Sequence, residues 1–435
     1  MDRRHFLKTA ALGTGAITVG QAVPAQAKEP AKEAKTPLDV KGFIKEPARR
    51  IPVVDSADVV IVGGGPAGVA AAISSARQGS SVLVLERQYF LGGLFTGCGV
   101  TPIIDMYSPT DSGKTQAIFG IAEELCQRLD SMKMLSIEYV RPKVDPEAAK
   151  FVMEEMLDEA GVRLIYGVQA AEIVMSGNRI DAVIIEGKSG RVAIQTKFVV
   201  DCSGDGDILE WAGEDFTVYK NDIGAMWRIG NAENCKAGTP TCIKGVRTRH
   251  TNGEKDQDGL DMYNLTRIQK NMRKMMWEDA VALSKNPGCE DLFLLDTPSV
   301  VGVRVTRVLN SVFNVTVEGA ALGQSYDDVI GFSGSDSTLK RNNGIHIPAT
   351  QRKIWQIPYR ALTPKRVENL LVAGRCFGYE KGLTYDSREV GTCFMTGQAA
   401  GTAAGMAVKT RCSCREVNVP ALQANLRKQN VKLDW

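Results

Sequence analysis

Residues 58–86 constrain the fold more than any other part of this chain. Asp58-Val59-Val60-Ile61-Val62 is a short apolar run that stops at Gly63-Gly64-Gly65-Pro66-Ala67-Gly68. A small-residue helix follows from Val69 to Gln78, and a second apolar run, Ser81 to Leu85, ends on Glu86. Strand, glycine turn, helix, strand and terminal acid are the parts of a dinucleotide-binding βαβ unit. Gly63 permits the tight turn, Gly65 lets the backbone approach a pyrophosphate, and Gly68 lets the helix pack closely on the strand. The amides of the helix aim their dipole at the phosphates. Glu86 stands where a carboxylate accepts from ribose hydroxyls and repels a 2′-phosphate.

The 435 residues suffice for two intimately packed domains, and the chain is 44% hydrophobic and 24% charged, as ordinary globular chains are. Of 53 basic and 50 acidic residues the first 27 positions hold three and one, so the remainder is almost neutral. That balance gives no support for nucleic-acid binding or a polybasic membrane patch.

The first 27 residues read as an address. Asp2-Arg3-Arg4-His5-Phe6-Leu7-Lys8 fits the twin-arginine export pattern, Thr9 to Val23 is mildly apolar, and Ala25-Gln26-Ala27 supplies a small-x-small cleavage site. The expectation is a periplasmic protein carried by the Tat translocase, with its signal cleaved near Ala27 and no membrane span afterwards. Ten cysteines show neither a CxxC nor a haem or ferredoxin spacing; Cys235 with Cys242, or Cys412 near Cys414, are pairs that could oxidise after export. Beyond the signal only His250 and His346 remain, far apart in sequence, so no metal centre is expected.

Residues 28–55 read as a linker rich in Lys, Glu, Pro and Ala. A helix is predicted over Asp145 to Ala160, then β-like runs at Val162–Ile165, Ala170–Met175, Ile180–Glu186, Arg191–Thr196 and Phe198–Val200, with Gly177-Asn178 as a turn. Residues 216–365 lose the βαβ rhythm and read as an inserted α+β substrate or cap domain. The buried-strand pattern returns at Leu370-Leu371-Val372-Ala373, followed by a small-residue helix from Thr392 to Met406. The expected fold is α/β: a Rossmann-like three-layer dinucleotide-binding domain with a β-meander, split between 56–215 and 366–411. Residues 412–435 form a tail.

Four separated segments resemble FAD-dependent oxidoreductases of the glutathione-reductase structural class, nearest the group of heterodisulfide-reductase A-like and exported flavoproteins. They are Asp58 to Arg87, Phe90-Leu91-Gly92-Gly93-Leu94, Val199 to Asp207, and Ile357-Pro358-Tyr359-Arg360 running through Asn369 to Gly401. The resemblance implies FAD as cofactor. It adds Arg87, Gly92, Gly93, Leu94, Thr96, Ala170, Gly204, Asp205, Gly374, Arg375, Gln398 and Ala399 to Gly63, Gly65, Pro66, Ala67, Gly68 and Glu86 as its contacts. It also implies that the helix carrying Gly397-Gln398-Ala399 turns its positive end to the flavin. The chain departs from the family where Cys202-Ser203 replaces Ala-Thr, and in Val301 to Val308, where Val305 replaces an acid.

Candidate catalytic groups are Arg360 and Arg388, for holding a substrate carboxylate, and Tyr359 and His346, for moving a proton. Cys98 has no neighbouring cysteine in sequence and reads as an inert small residue. A single dinucleotide fingerprint implies electrons passing between FAD, a small organic substrate and an external carrier, whether quinone, cytochrome or oxygen. An electron-transfer flavoprotein without its own substrate, and a ligand-binding protein with structural FAD, remain open on these residues.

Overall fold

A computed structural model describes residues 38–110, 113–138, 141–334 and 354–434. The export-signal reading and His346 fall outside the described residues. Two units separate by compactness, 1–44 and 45–435. In the first, residues 39–44 are exposed and carry no regular element; the second holds every element below.

β1 (Val53–Val62) takes in the last three residues of the predicted linker, and Val59, Val60, Ile61 and Val62 are all buried. An unbroken apolar run suits a strand covered on both faces. The glycine turn leads into α1 (Pro66–Arg77), whose proline occupies the first turn, where an N–H would lack a partner anyway. β2 (Val82–Glu86) returns parallel to β1. Further along come β3 (Arg163–Tyr166), β4 (Gln169–Ser176), β5 (Arg179–Gly187), β6 (Gly190–Asp201) and β7 (Leu370–Val372).

These seven strands form one sheet in the order β3-β2-β1-β6-β5-β4, with β7 also paired to β6. β6 joins two architectures. Its residues 190–195 run antiparallel to β5 and complete a meander with β4, while Val199–Asp201 run parallel to β7. The two runs predicted at 191–196 and 198–200 are therefore one strand, since no turn residue separates them. This is the Rossmann-like FAD-binding fold with its meander. The helix predicted over 145–160 spans Pro146–Glu159, and the Asp145 carboxylate caps it by accepting from the amides of Glu147 and Ala148.

The middle of the chain builds a four-stranded antiparallel sheet, in the order Thr239–Pro240, Arg247–Asn252, Gly224–Gly230, Phe293–Asp296. The helix Met262–Leu283 buries Ile268, Met272, Met276, Ala280 and Leu283 at three- and four-residue spacing, and shares a core with this sheet. The same core contains a disulfide, Cys235–Cys289, and Cys242 is free, which corrects the pairing suggested by sequence proximity. Arg228 ties the sheet to the nucleotide-binding half: its guanidinium pairs with Asp296 and, at 2.9 Å, with the helix-capping Asp145.

The closing helix runs from Val390 to Thr410 and is buried along nearly its whole length. Glycines let it touch α1 backbone to backbone. A Cβ on Gly397 would stand 2.1 Å from the Ala67 carbonyl oxygen, and one on Gly401 2.0 Å from that of Ala71. Alanine is the better helix former, by about 1 kcal/mol. Here the lost contact dominates, because the clashing atoms are backbone and cannot rotate away. Gly397→Ala is predicted to lower unfolding stability by about 1–3 kcal/mol, read by urea denaturation.

Candidate active site

Two glycine turns close on each other at the C-terminal end of the sheet. The amide of Gly92 donates to the Gly64 carbonyl at 2.8 Å, and Gly93, at φ +51°, would bring a Cβ to 3.3 Å of the Gly65 Cα. The Glu86 carboxylate, buried at the end of β2, accepts from the amides of Gly64 (2.6 Å) and Gln88 (2.7 Å). It thereby fixes the first turn from below. Ala170, on β4, is buried two residues beyond Val168, whose amide donates to the Glu86 carbonyl.

The glycines of the fingerprint differ in what they exclude. A Cβ on Gly63 would meet the Cys202 carbonyl oxygen at 2.4 Å, and one on Gly68 the Gly63 carbonyl oxygen at 1.8 Å. A Cβ on Gly65 would meet nothing within 4 Å, and its φ of −69° suits any residue. Neither backbone strain nor a protein contact demands glycine there. The space over Gly65 lies at the uncapped N-terminus of α1, against Gly93, and it has the open face and dipole that a pyrophosphate needs.

Asp205, just past the end of β6, gathers the remaining segments. One carboxylate oxygen accepts from Arg375 Nη2 at 2.8 Å and from the Thr306 hydroxyl at 2.9 Å; the other lies 3.9 Å from Arg87. Gly204 is at φ +80°, and a Cβ there would reach 2.8 Å from Arg375 Nε. Arg375 also donates to the Val303 carbonyl. Gly374, at φ +76°, donates its amide to the Thr396 hydroxyl of the closing helix at 3.1 Å. Asp201 is buried beneath and accepts from Ser203, Ile208 and Leu209. Burial, then Asp205 and Asp201, push the neighbouring Asp207 up to about 7.

A second group of side chains stands beside this cradle. Gly224 opens its strand, and a Cβ on it would come within 3.4 Å of Arg304 Nη2 and 3.6 Å of His250 Nε2. Arg304 directly follows Val303, the residue that Arg375 holds. Burial and then Arg388 lower the Arg304 pKa, while Tyr385, Asp222 and Glu389 oppose them. Packing around the ring, then Arg304, lower that of His250 at the exposed rim. Arg388 lies over the Tyr385 ring, 5.8 Å from its centroid, and 3.6 Å from Glu389. Behind them Cys98 is fully buried, and desolvation pushes its thiol up to about 11, so it is held protonated. His250, Arg304 and Tyr385 were not among the expected site residues, although Arg304 lies in the segment where Val305 breaks the family pattern.

Several expected residues stand elsewhere. Tyr359 is buried, with its hydroxyl donating to the Cys414 carbonyl at 2.7 Å, so it braces the C-terminal segment. Arg360 pairs with Asp328 at 3.3 Å and packs over Phe313 and Tyr326, a structural arrangement. Thr96 spends its hydroxyl on the Leu91 carbonyl at 2.5 Å, inside the short helix Leu94–Gly97 that the second glycine turn begins. The closing helix starts at Val390, so Gln398 and Ala399 lie within it and not at its positive end. Gln398 Oε1 accepts from the Ile121 amide at 3.0 Å, and its amide group faces Gln429. The positive end faces Asp105, whose buried carboxylate accepts from the amides of Gly391 and Thr392 at 2.9 and 2.6 Å.

A mixed sheet whose parallel strands end in a glycine cradle, closed by a C-terminal strand and helix, defines a dinucleotide-cofactor flavoprotein. The chain belongs to the FAD-dependent oxidoreductase family: the family model described as "FAD dependent oxidoreductase" matches residues 58–235 and 220–426. It is 28% identical over 156 residues to a thiamine thiazole synthase of Methanococcus aeolicus, covering 34% of this chain and 54% of that protein. It is 26% identical over 220 residues to a digeranylgeranylglycerophospholipid reductase of Picrophilus torridus, covering 47% and 49%. The chain thus spans about half the length of the curated relatives it matches. A solved geranylgeranyl bacteriochlorophyll reductase-like protein of Thermoplasma acidophilum aligns over 86% of this chain and 83% of its own, at 13% identity and a TM-score of 0.44.

The cradle separates two kinds of glycine, and two substitutions read the difference. Gly65→Ala is predicted to leave the cofactor-free fold within about 0.5 kcal/mol of wild type and to weaken FAD binding at least about tenfold, checked by urea denaturation and FAD fluorescence titration. Gly68→Ala, against backbone, destabilises the cofactor-free fold itself.

Glu389 gives a pH test. Burial first, offset by Arg388, raises its carboxyl from 4.5 to about 7. Its contribution to stability is complete below pH 4.5 and is lost as pH rises through about 7. Glu389→Gln cannot ionise, so urea stability measured against pH is predicted to fall less in the variant across that window.

Proposed function

We propose that this chain is an exported FAD-dependent oxidoreductase that moves a hydride between a small organic substrate and FAD, and exchanges electrons with an external carrier. FAD, when bound, supplies the hydride chemistry. The observation that carries the reading is the pair of glycine turns closing on the open face of Gly65 beside the Arg304–Arg388–His250 group. The first arrangement suits the cofactor's pyrophosphate, and the second suits a substrate at the cofactor's reactive end.

The chain's own groups have definite tasks in this reading. The α1 N-terminus and Gly92-Gly93 would hold the phosphates, and Glu86 would accept from the ribose hydroxyls. Asp205 and Arg375 keep the strand ends together. Tyr385 and Arg388 orient the substrate. His250 is neutral near pH 7, because its pKa lies below the ordinary histidine value, and its ring can accept a proton at the rim. Glu389, near 7, can hold one deeper in the fold.

Export through the Tat translocase to the periplasm rests on Arg3-Arg4 with the small-x-small site at Ala25-Gln26-Ala27, and the Cys235–Cys289 disulfide suits an oxidising compartment. The single glycine fingerprint favours an external acceptor, a quinone, cytochrome or oxygen, over a nicotinamide bound in a second domain. Kinship with the heterodisulfide-reductase A-like group rests on the quoted motifs.

Purified protein loaded with FAD is predicted to show flavin absorption bands that bleach with an organic donor and return on addition of a soluble quinone or oxygen. Rapid turnover with NADPH alone would overturn the external-carrier reading.

A further inference from the structure

We propose that Arg304, with Arg388 and His250, forms a recognition site for an anionic group of the substrate, a carboxylate or a phosphate, next to the cofactor cradle. The inference rests on the oxidoreductase reading above and names the class of substrate that site takes.

Four observations carry it. First, Arg304 is only partly exposed, yet among the described residues no hydrogen bond or ion pair holds its guanidinium. A guanidinium has five donors in a fixed fork, and with no partner among the described residues those of Arg304 are free to meet a ligand. Nearby arginines are held by the protein: Arg375 by Asp205 and the Val303 carbonyl, and Arg307 by Asp207, Glu210 and the Asp205 carbonyl, with its Nε alone left unbonded.

Second, the Arg388 charge acts on Arg304, where after burial it is the largest cause that lowers the pKa. Among the described residues Arg388 pairs with Glu389 at 3.6 Å, and its buried Nε has no partner. Two like charges drawn together are stabilised by an anion placed between them.

Third, glycines make the arrangement possible. Gly302 presses onto the Gly224 backbone, where a Cβ would lie 1.7 Å from the Gly224 carbonyl oxygen. A Cβ on Gly224 would stand in ordinary contact with both Arg304 Nη2, at 3.4 Å, and His250 Nε2, at 3.6 Å. The two nitrogens therefore stand over one bare backbone carbon, with His250 at the solvent side to serve as a further donor.

Fourth, the position separates this group from the cofactor's own phosphates. Gly397 of the closing helix touches Ala67 at the pyrophosphate end of the cradle. Arg388 precedes that helix, whose first residue, Val390, already lies seven residues and about 10 Å of helical rise from Gly397. An anion bound there belongs to a second molecule whose other end reaches back to the cofactor.

The test uses the full chain loaded with FAD, so that the pyrophosphate site is filled, and isothermal titration with succinate and with inorganic phosphate. Wild type is expected to bind at least one of them. Arg304→Gln is expected to weaken that binding roughly 10- to 100-fold, the loss of charge-assisted hydrogen bonds, while Arg304→Lys keeps part of it. Arg267→Gln, which removes an exposed pair with Glu254, should leave the affinity unchanged. Succinate binding alone assigns a carboxylate, and phosphate binding alone assigns a phosphate. No binding of either by wild type, or equal affinity in a folded Arg304→Gln, overturns the proposal. Repeating the titration without FAD separates the two readings. Failure to take up FAD sinks the oxidoreductase assignment, while Arg304-dependent anion binding stands or falls by itself.

Discussion

The contact between α1 and the closing helix is the constraint on which the rest of the structure depends. Some 300 residues separate the two in sequence, yet Gly397 and Gly401 bring their backbones together at Ala67 and Ala71. That approach sets β7 beside β6 and places Gly374 over Ala67. Arg375 then falls within reach of Asp205. Small residues do here what large ones do in an ordinary core. They exchange side-chain burial for a short distance between helices, and the distance positions the cradle.

From that geometry a division of labour follows. Glycines against backbone, such as Gly63, Gly68 and Gly397, are structural. Gly65 faces open space, where no protein contact demands glycine. Carboxylates divide in a similar way. Asp201 and Asp105 are buried where they satisfy amides, and Asp205 crosslinks the strand ends. Arg304 and Arg388 are faced by Asp222 and Glu389, but among the described residues no hydrogen bond or ion pair holds the Arg304 guanidinium. Charge is thus locked in pairs in the cradle's frame and left unpaired at Arg304.

The nucleotide-binding half was legible because its signals are local. A glycine turn between two apolar runs identifies a βαβ unit wherever it occurs, and Glu86 and Asp145 came to rest at a strand end and a helix cap. What sequence concealed was long-range. Nothing near His250 announces that it will share a space with Arg304, since register across two strands and a glycine contact decide it. Tyr359 and Arg360 sat in a family-like motif and pointed to catalysis, but their partners, the Cys414 carbonyl and Asp328, lie in segments no local pattern could link to them. Cys235 found Cys289 over 54 residues instead of Cys242 nearby, again because the antiparallel sheet and its helix set the distance. Gln398 was assigned to the cofactor from a motif, and the helix start at Val390 moved it two turns away from the end that mattered.

The most direct measurement is a crystal structure of the full chain grown with FAD. The expected result is pyrophosphate density over Gly65, bonded to the first amides of α1, and the reactive edge of the ring system turned toward Arg304 and Arg388. FAD bound with that edge pointing away from Arg304, or phosphates seated elsewhere than on the first glycine turn, would contradict it.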